Sequence, residues 1–362
     1  MVVRVYLKQA WNLMKQNPLF STLYIVGTGI SIVMTMVIAI VYYVRLAPVY
    51  PETNRMRTLV VKSAKMTNDE STHSSNISYA MLKDWFYSLE SAEVSTGVSG
   101  TSYARVTNDK EEIPTYARYT DENFFRVFPL VFLEGKPFTE ADRRSGIHNV
   151  VLTDSYAQQL FGTTKGVVGK NFLMDYTNVK VVGVVKSGSF LTPDSYAQVY
   201  LPYSCRDGYD DEGSHWALGG YRVYILMKES KSVTDVQDEV LELVRKFNVS
   251  DMGDGWKLDL VGQPELYWHS TFRLWSNVAV DWGRVIWMFV GIFMVLLFVP
   301  AFNLSGMISA RMERQLPDLG IRKAFGASRR RLLVQIIWEN LLLTGLGTLL
   351  GLVIAWIVLV GI

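Results

Sequence analysis

Cysteine is almost absent from this sequence, since Cys205 is the single one among 362 residues. A disulfide within the chain is therefore excluded, and any domain outside the cytoplasm has to be held together by its own core. Histidine is also rare, and the four present lie far apart without the spacing of metal ligands, which predicts no metal site. These histidines are His73, His148, His215 and His269.

Charged residues make up only 19% of the chain, whereas 49% of the residues are hydrophobic. This composition is too apolar for an ordinary soluble protein and for a disordered one. The chain has 36 Lys and Arg against 34 Asp and Glu, so its net charge is +2. Such a small excess predicts no nucleic-acid partner.

Catalytic motifs are lacking as well, because the sequence contains neither G-x-S-x-G nor HExxH. The tract 162–171 resembles a phosphate-binding loop only faintly. Thr164 stands where that loop needs a glycine, and Asn171 stands where it needs a hydroxyl. We therefore predict that this chain is not an enzyme and has no catalytic residue, no bound cofactor and no bound metal.

Three long hydrophobic runs predict transmembrane helices at 20–44, 285–310 and 332–362. The first and second contain no charged residue, and Glu339 alone interrupts the third. Each run exceeds the roughly 20 residues that cross a hydrocarbon core. A cleaved signal peptide is the alternative for the first run, but the run is longer than such a segment and no small-residue cleavage site follows it.

Basic residues are concentrated beside these runs. Residues 1–19 carry three Lys or Arg and no acid, and residues 311–331 carry seven against two acids. Residues 45–284 carry 26 basic and 31 acidic residues. The positive-inside rule therefore places 1–19 and 311–331 in the cytoplasm and 45–284 outside.

The outside block 45–284 mixes two kinds of periodicity. Alternating runs predict strands at 178–186, 198–203 and 221–227, while helical spacing predicts helices at 79–89, 154–161 and 232–247. Mixed strands and helices favour an α+β domain. The predicted fold is an α-helical membrane protein with a large extracytoplasmic α+β domain inserted between transmembrane helices 1 and 2.

The cytoplasmic stretch 311–331 predicts a helix at 317–325. Pro317 suits the first helical position, Asp318 the N-terminal end and Arg322 the C-terminal end, and Gly326 suits the residue that ends the helix. Ser328 is placed to cap the next helix. A basic loop that only anchors two helices is the alternative. The apolar residues interspersed among the charges favour a docking surface; they are Leu319, Ile321 and Phe325.

The tract Asp318-Leu-Gly-Ile-Arg-Lys-Ala-Phe-Gly-Ala-Ser328 resembles the cytoplasmic stretch of the MacB/FtsX-type ABC transporter permeases, where Glu-Ile-Gly-Ile-Arg-Lys-Ala-Leu-Gly-Ala is typical. Asp318 and Leu319 are mild departures, and Glu339 also matches the family pattern. Residues 1–19 are similar to the family's cytoplasmic amphipathic elbow helix. Phrases of the outside block resemble its periplasmic core domain, at 121–128, 134–138, 151–154, 160–162, 168–170 and 181–186.

The resemblance implies a permease in the bacterial inner membrane that transmits ATP-driven movement to its outside domain for export. It implies a separate cytoplasmic ABC ATPase that uses ATP and magnesium, a second permease copy, membrane lipid and an unidentified periplasmic or outer-membrane partner. The family has four membrane helices, so a fourth is expected to be missing here. The residues that it assigns to ATPase coupling are Asp318, Leu319, Gly320, Ile321, Arg322, Lys323, Phe325 and Gly326. A membrane-anchored ligand-sensing receptor and a membrane-anchored enzyme are the alternatives.

Two further expectations concern the membrane helices. Gly27, Gly29 and Ser31 are small residues that let helices approach closely, and we expect this face to pack against a second copy; a lipid-facing helix is the alternative. Glu339 is expected to have a partner because an unpaired carboxylate in a membrane segment costs a few kcal/mol. Arg329, Arg330 or Arg331 is the candidate partner, and capping of a backbone break is the alternative.

Overall fold

The computed structural model describes residues 11, 15, 18–100, 102–107, 112–210, 216–250, 255–326 and 328–360. The chain divides into two compact units. The membrane unit comprises Met1–Tyr43 and Trp282–Ile362, and the outer unit comprises Val44–Asp281. The predicted elbow helix at 1–19 lies almost entirely outside the described residues.

The helices with defined bounds occur in both units. They are α1 (Pro18–Leu46), α2 (Tyr79–Asp84), α3 (Phe124–Val127), α4 (Glu140–Arg144), α5 (Asp154–Phe161), α6 (Val233–Val249), α7 (Trp282–Ala324) and α8 (Arg329–Val360).

The strands all lie in the outer unit. They are β1 (Thr58–Val61), β2 (Ala64–Thr67), β3 (Thr72–Ile77), β4 (Ala92–Ser99), β5 (Ser102–Thr107), β6 (Glu112–Thr120), β7 (Phe132–Gly135), β8 (Asn149–Thr153), β9 (Asn171–Met174), β10 (Thr177–Val185), β11 (Val199–Pro202), β12 (Leu218–Gly219), β13 (Tyr221–Met227), β14 (Lys257–Asp259) and β15 (Glu265–Leu266).

Six strands of the outer unit close into a barrel. Strand β6 pairs with β5, the pairing continues through β9, β10 and β8 to β11, and β11 returns to β6. The last pairing is parallel and sets Val199 opposite Ala117. Apolar side chains of these strands form one buried core, to which α5 contributes Tyr156, Ala157 and Leu160. The barrel is thus filled by side chains.

The sheet continues beyond the barrel from β6 through β4 to β13, which also pairs with β1 and β3. Helices α2 and α6 contribute to the buried core on this part of the sheet. Helix α6 presents its buried residues at helical spacing, and a capping box of Ser232 and Asp235 begins it. The buried residues of α6 are Val236, Val240, Val244 and Phe247. A helix layer on a mostly antiparallel sheet confirms the predicted α+β class.

The six elements predicted for this unit are confirmed, as β10, β11, β13, α2, α5 and α6. Helix α2 is shorter than the prediction, since it ends at Asp84 and a 3-10 turn at Phe86–Ser88 follows. Gly162 ends α5 with a φ of 70°, a left-handed conformation that suits glycine.

Asp121 connects the barrel to the helix-covered sheet. It follows β6, and its carboxylate accepts hydrogen bonds from the Tyr87 hydroxyl at 2.5 Å, the Thr96 hydroxyl at 2.7 Å and the Gly97 amide at 2.9 Å. It also accepts the amide of Phe124 in α3 at 3.2 Å. Burial raises the pKa of Asp121 to about 6, although these donors oppose the shift.

Two helices of the membrane unit are long and apolar enough to cross a bilayer, within the described residues. The spans are Ser21–Leu46 in α1 and Leu332–Val358 in α8, each with a mean hydropathy of 2.3. In α7 the apolar stretch Trp282–Phe298 is shorter, because the side chains of most of the following residues are not described. These spans fit the first and third predicted segments by length and composition.

Helices α1 and α8 approach each other closely. The Tyr24 hydroxyl lies 3.0 Å from the Thr344 hydroxyl. A Cβ on Gly351 would lie 2.7 Å from the Gly29 carbonyl oxygen, and one on Gly29 would lie 3.3 Å from the Gly347 carbonyl oxygen. Glycine at these positions permits a backbone-to-backbone contact that any side chain would obstruct.

The expectation that Gly27, Gly29 and Ser31 pack against a second copy stays a prediction, since the structure holds a single copy. Gly29 packs against α8 of the same chain. The Ser31 hydroxyl donates to the Gly27 carbonyl oxygen at 2.9 Å within α1. At Gly29 the small-residue pattern therefore marks a close helix contact within the chain.

The prediction that 317–325 forms a separate helix is wrong. Helix α7 runs without interruption from Trp282 to Ala324, so Pro317 lies inside a helix and not at its first position. Residues 310–316 are mostly strong helix formers, so the chain has no reason to leave the helix before the proline. An interior proline removes one backbone hydrogen bond but does not have to end a long helix.

We expect Gly351→Ala to destabilise the membrane unit by about 1–3 kcal/mol, because its new Cβ collides with the Gly29 backbone. The matched control is Gly345→Ala in the same helix, where a Cβ would meet nothing within 4 Å. Alanine is the better helix former, so the control is expected to be neutral or slightly stabilising. Thermal unfolding of the full chain in detergent measures both, and equal melting temperatures would contradict the close contact.

Asp121→Asn is expected to lower the free energy of unfolding by about 2 kcal/mol, because an amide group would face donors that need an acceptor. Asp238→Asn, on the exposed face of α6, makes the same chemical change and should have no effect. The folded pKa of about 6 lies above the ordinary 3.8, so the stability contributed by protonation is lost as pH rises through 6. Lowering the pH from 7 to 5 should therefore widen the difference between wild type and Asp121→Asn by about 1 kcal/mol. A difference that narrows would contradict this pKa.

Candidate functional site at the end of α7

The last turn of α7 ends in a defined conformation. The Phe325 amide donates to the Ile321 carbonyl at 3.1 Å, and the Gly326 amide donates to the Lys323 carbonyl at 3.0 Å. Gly326 has a φ of 88°, which confirms the predicted helix-ending glycine. Ser328 directly precedes α8, as predicted, and its carbonyl accepts the Leu332 amide at 3.3 Å.

This turn exposes apolar side chains. Phe325 is 89% exposed and Ile321 is 58% exposed. The two lie four residues apart, so they share one face of the helix end. Gly320 and Lys323 are also exposed. A large aromatic side chain in solvent beside a second apolar one is a typical docking feature for another protein.

The structure does not describe every residue of the predicted set. The side chains of Asp318, Leu319, Arg322 and Glu339 lie outside the described part, although their backbones belong to α7 and α8. The predicted pairing of Glu339 with an arginine therefore remains a prediction.

The first turn of α8 carries an unfavourable charge pattern. Arg329 and Arg330 are exposed at the N-terminus of the helix, where the partial positive charge of the helix dipole disfavours cations. Helix stability does not account for basic residues at this position. The positive-inside distribution, or a negatively charged partner surface, does account for them.

The outer unit shows no sign of a reactive thiol at Cys205. Burial raises the pKa of the Cys205 thiol to about 12, and its Sγ donates to the Ile147 carbonyl at 3.6 Å. A thiol with such a high pKa is a poor nucleophile at neutral pH. Within the described ranges, no three His, Cys, Asp or Glu side chains come together in a way that could hold a metal ion.

Sequence reasoning missed the residues of α8 that meet α1. Thr344, Gly347 and Gly351 contact the first helix, and none was singled out. Gly347 and Gly351 are spaced by four residues, which is the signal of a close helix contact in membranes. The spacing was therefore readable, but only in combination with the partner helix.

Two family models match the chain. Residues 20–243 match the MacB-like periplasmic core domain, and residues 277–361 match the FtsX-like permease C-terminal region. The first match includes α1 and most of the outer unit. The second includes α7 and α8, and therefore the exposed turn between them.

Curated relatives agree with these matches. The pyoverdine export ATP-binding/permease protein PvdT of Pseudomonas entomophila is 25% identical over 237 residues, which cover 64% of this chain and 34% of the relative. The macrolide export ATP-binding/permease protein MacB of Bdellovibrio bacteriovorus is 23% identical over 220 residues, covering 60% and 32%. This chain thus spans about a third of the length of these relatives.

Among solved structures, the periplasmic region of MacB from Actinobacillus actinomycetemcomitans aligns with a TM-score of 0.40 at 17% identity, covering 55% of this chain and 88% of that one. The core-domain model alone covers more than half of the chain, and the permease model follows it in the expected order. The chain therefore belongs to the MacB/FtsX-like family of ABC transporter permeases.

Proposed function

We propose that this chain transmits movement from a cytoplasmic ABC ATPase to its outer unit and so drives export across the bacterial inner membrane. The observation that carries this proposal is the continuity of α7. At 43 residues and about 1.5 Å per residue, the helix is roughly 65 Å long. A hydrocarbon core is about 30 Å thick, so one uninterrupted helix extends well beyond it.

The proposed topology places the outer unit outside and the turn between α7 and α8 in the cytoplasm. The charge distribution supports this, with an excess of basic residues at 311–331 and an excess of acidic residues at 45–284. Helix α7 directly follows the outer unit in the chain, so it would begin at the outer side of the bilayer and end at the cytoplasmic surface. A displacement of its cytoplasmic end would then travel along one uninterrupted helix to the outer side of the bilayer.

The proposed docking site for the ATPase is the exposed turn. Ile321 and Phe325 would fill an apolar cleft of the partner, while Lys323 would contribute to orientation and to the rate of encounter. The remaining members of the coupling set would shape the surface of the same turn; they are Asp318, Leu319, Gly320, Arg322 and Gly326.

The ATPase is proposed to be a separate subunit that binds ATP and magnesium. The relatives PvdT and MacB are named as ATP-binding/permease proteins, which supports an ATP-binding partner for the permease part. A second permease copy, membrane lipid and a partner in the periplasm or outer membrane complete the proposed assembly. Glu339 is proposed to be paired within the membrane.

The topology is tested by labelling single cysteines with a membrane-impermeant reagent in a Cys205→Ser background. Ser230→Cys lies at an exposed turn of the outer unit and should react in intact cells. Ser328→Cys, which is also exposed, should react only after the cells are permeabilised. Labelling of Ser328→Cys in intact cells, with Ser230→Cys protected, would reverse the topology.

Phe325→Asp is expected to weaken ATPase binding at least about thirtyfold, because loss of a central apolar anchor costs 2 kcal/mol or more. The measurement is the amount of Walker-motif ATPase that co-purifies with the tagged chain, together with the amount of permease in the membrane. Val249→Asp is the matched control, since Val249 is 84% exposed but lies in the outer unit. If Phe325→Asp retains the ATPase as well as the control does, the turn is not the docking site.

A further inference from the structure

A positively charged cavity of about 320 Å³ lies in the outer unit. Four basic side chains line it, together with one carboxylate, that of Asp194. The basic residues are Arg45, Arg55, Lys62 and Arg222. The volume is at the lower end of the range for small-molecule sites, so the cavity suits a small head group.

The cavity adjoins the end of α1. Arg45 lies in the last turn of this helix, whose apolar span ends at Leu46. The Arg55 guanidinium donates through Nη1 to the Val44 carbonyl at 2.8 Å, so it too is attached to the helix end. If α1 crosses the membrane as proposed, the cavity opens near the outer surface of the bilayer.

The pKa of Asp194 indicates that the electrostatic potential in the cavity is positive. Its carboxylate lies 3.3 Å from the Lys62 ammonium and 3.2 Å from Nη1 of Arg222. Burial by itself would raise the pKa of Asp194, but Lys62, Arg222 and Arg118 hold it well below its usual range. Cations therefore outweigh desolvation at this position.

The basic side chains remain in excess after their internal partners are counted. Behind the lining, Arg118 donates to the Pro193 carbonyl at 2.7 Å, and Glu52 forms a buried ion pair with Arg55. Together the lining and these two residues comprise five basic groups and two carboxylates. An excess of three positive charges in a partly enclosed site attracts anions.

Arg55 is held in position without any ligand. Glu52 pairs with it, the Tyr267 ring lies 5.1 Å from its guanidinium carbon, and the Tyr267 hydroxyl donates to Glu52 at 2.9 Å. Only 3% of the Arg55 side chain is exposed. An arginine that is already fixed loses little conformational entropy when an anion binds nearby.

We infer that this cavity binds a phosphate-bearing anion at the outer surface of the membrane. Arginine and lysine groups that converge from several directions match the spread of charge over phosphate oxygens, and arginine in particular suits this geometry. The Thr271 side chain also lines the cavity and offers a hydroxyl. The phosphate could come from a lipid head group or from a free phosphate ester, and the experiment separates these sources.

Arg45 allows an experiment to separate anion binding from a network of ion pairs that only stabilises the fold. Lys62 and Arg222 form ion pairs with Asp194, so their positions could be explained by that carboxylate without any ligand. Arg45 is exposed, and among the described residues no carboxylate pairs with it. Removing Arg45 therefore tests anion binding without breaking an internal ion pair.

The first arm uses the full chain in nanodiscs of phosphatidylcholine, titrated with glycerol 1-phosphate and followed by calorimetry. Arg45→Ala should weaken saturable binding about tenfold, the typical effect of losing one charged hydrogen-bond donor. Arg222→Gln should weaken it by a similar factor. Arg105→Ala, an exposed arginine of β5, is the matched control and should bind as wild type does.

The second arm uses nanodiscs that contain phosphatidylglycerol, with retained lipid measured by native mass spectrometry. Retention that depends on Arg45 but not on Arg105 supports the inference and identifies a lipid head group as the source. Arg45-dependent binding of glycerol 1-phosphate without lipid retention supports it with a free ester as the source. Absence of binding in both arms, or equal losses in Arg45→Ala and Arg105→Ala, would overturn it, whatever the outcome of the ATPase experiments.

Discussion

The hydrogen bonds to the Asp121 carboxylate determine how the outer unit is assembled. One side chain receives donors from β4, from α3 and from the 3-10 turn that follows α2. The barrel and the helix-covered sheet are also joined by the pairing of Val98 with Thr120 and by a shared buried cluster of apolar side chains, to which both parts contribute. A buried acceptor with several donors fixes orientation more strictly than apolar packing, because a misplaced donor loses its partner.

The membrane unit depends on a different constraint, which is that glycines, without side chains, stand where α1 and α8 meet. The hydrophobic effect does not hold helices together in lipid, so α1 and α8 gain stability from close packing and from the Tyr24–Thr344 hydrogen bond. Glycines at 29, 347 and 351 permit that packing. Gly29 is consequently covered by α8 of the same chain, whereas Gly27 and Ser31 remain partly exposed.

Sequence patterns predicted the elements that carry their own periodicity. The run at 178–186 alternates apolar and polar residues at its start, and it corresponds to the strand β10. Ser232, with its capping box, marks the beginning of α6. The strands β5 and β6 escaped prediction because polar residues interrupt both and Pro114 lies within β6. Their stability depends on pairing with each other and with β9, which lies far along the chain. The core therefore depends on pairings that no local pattern contains.

The candidate site was only partly predictable, because only some of its features have a local sequence pattern. Gly326 has a local signature, and its positive φ agrees with it. The interior position of Pro317 was not predictable from the proline alone, because the preceding residues favour a helix strongly enough to include it. The cationic cavity brings together residues from 45 to 271, and no local stretch of sequence shows that they meet.

Closure of the six-stranded barrel has a consequence for assembly. An open sheet offers unpaired amide and carbonyl groups along its edges, which another chain can extend by adding a strand. Among the described residues, each of the six barrel strands has a strand neighbour on both sides, so free edge is confined to parts of strands, such as β5 before Val106. A protein that associates with this part of the molecule therefore has to recognise mainly the outward-facing side chains, which determine its specificity.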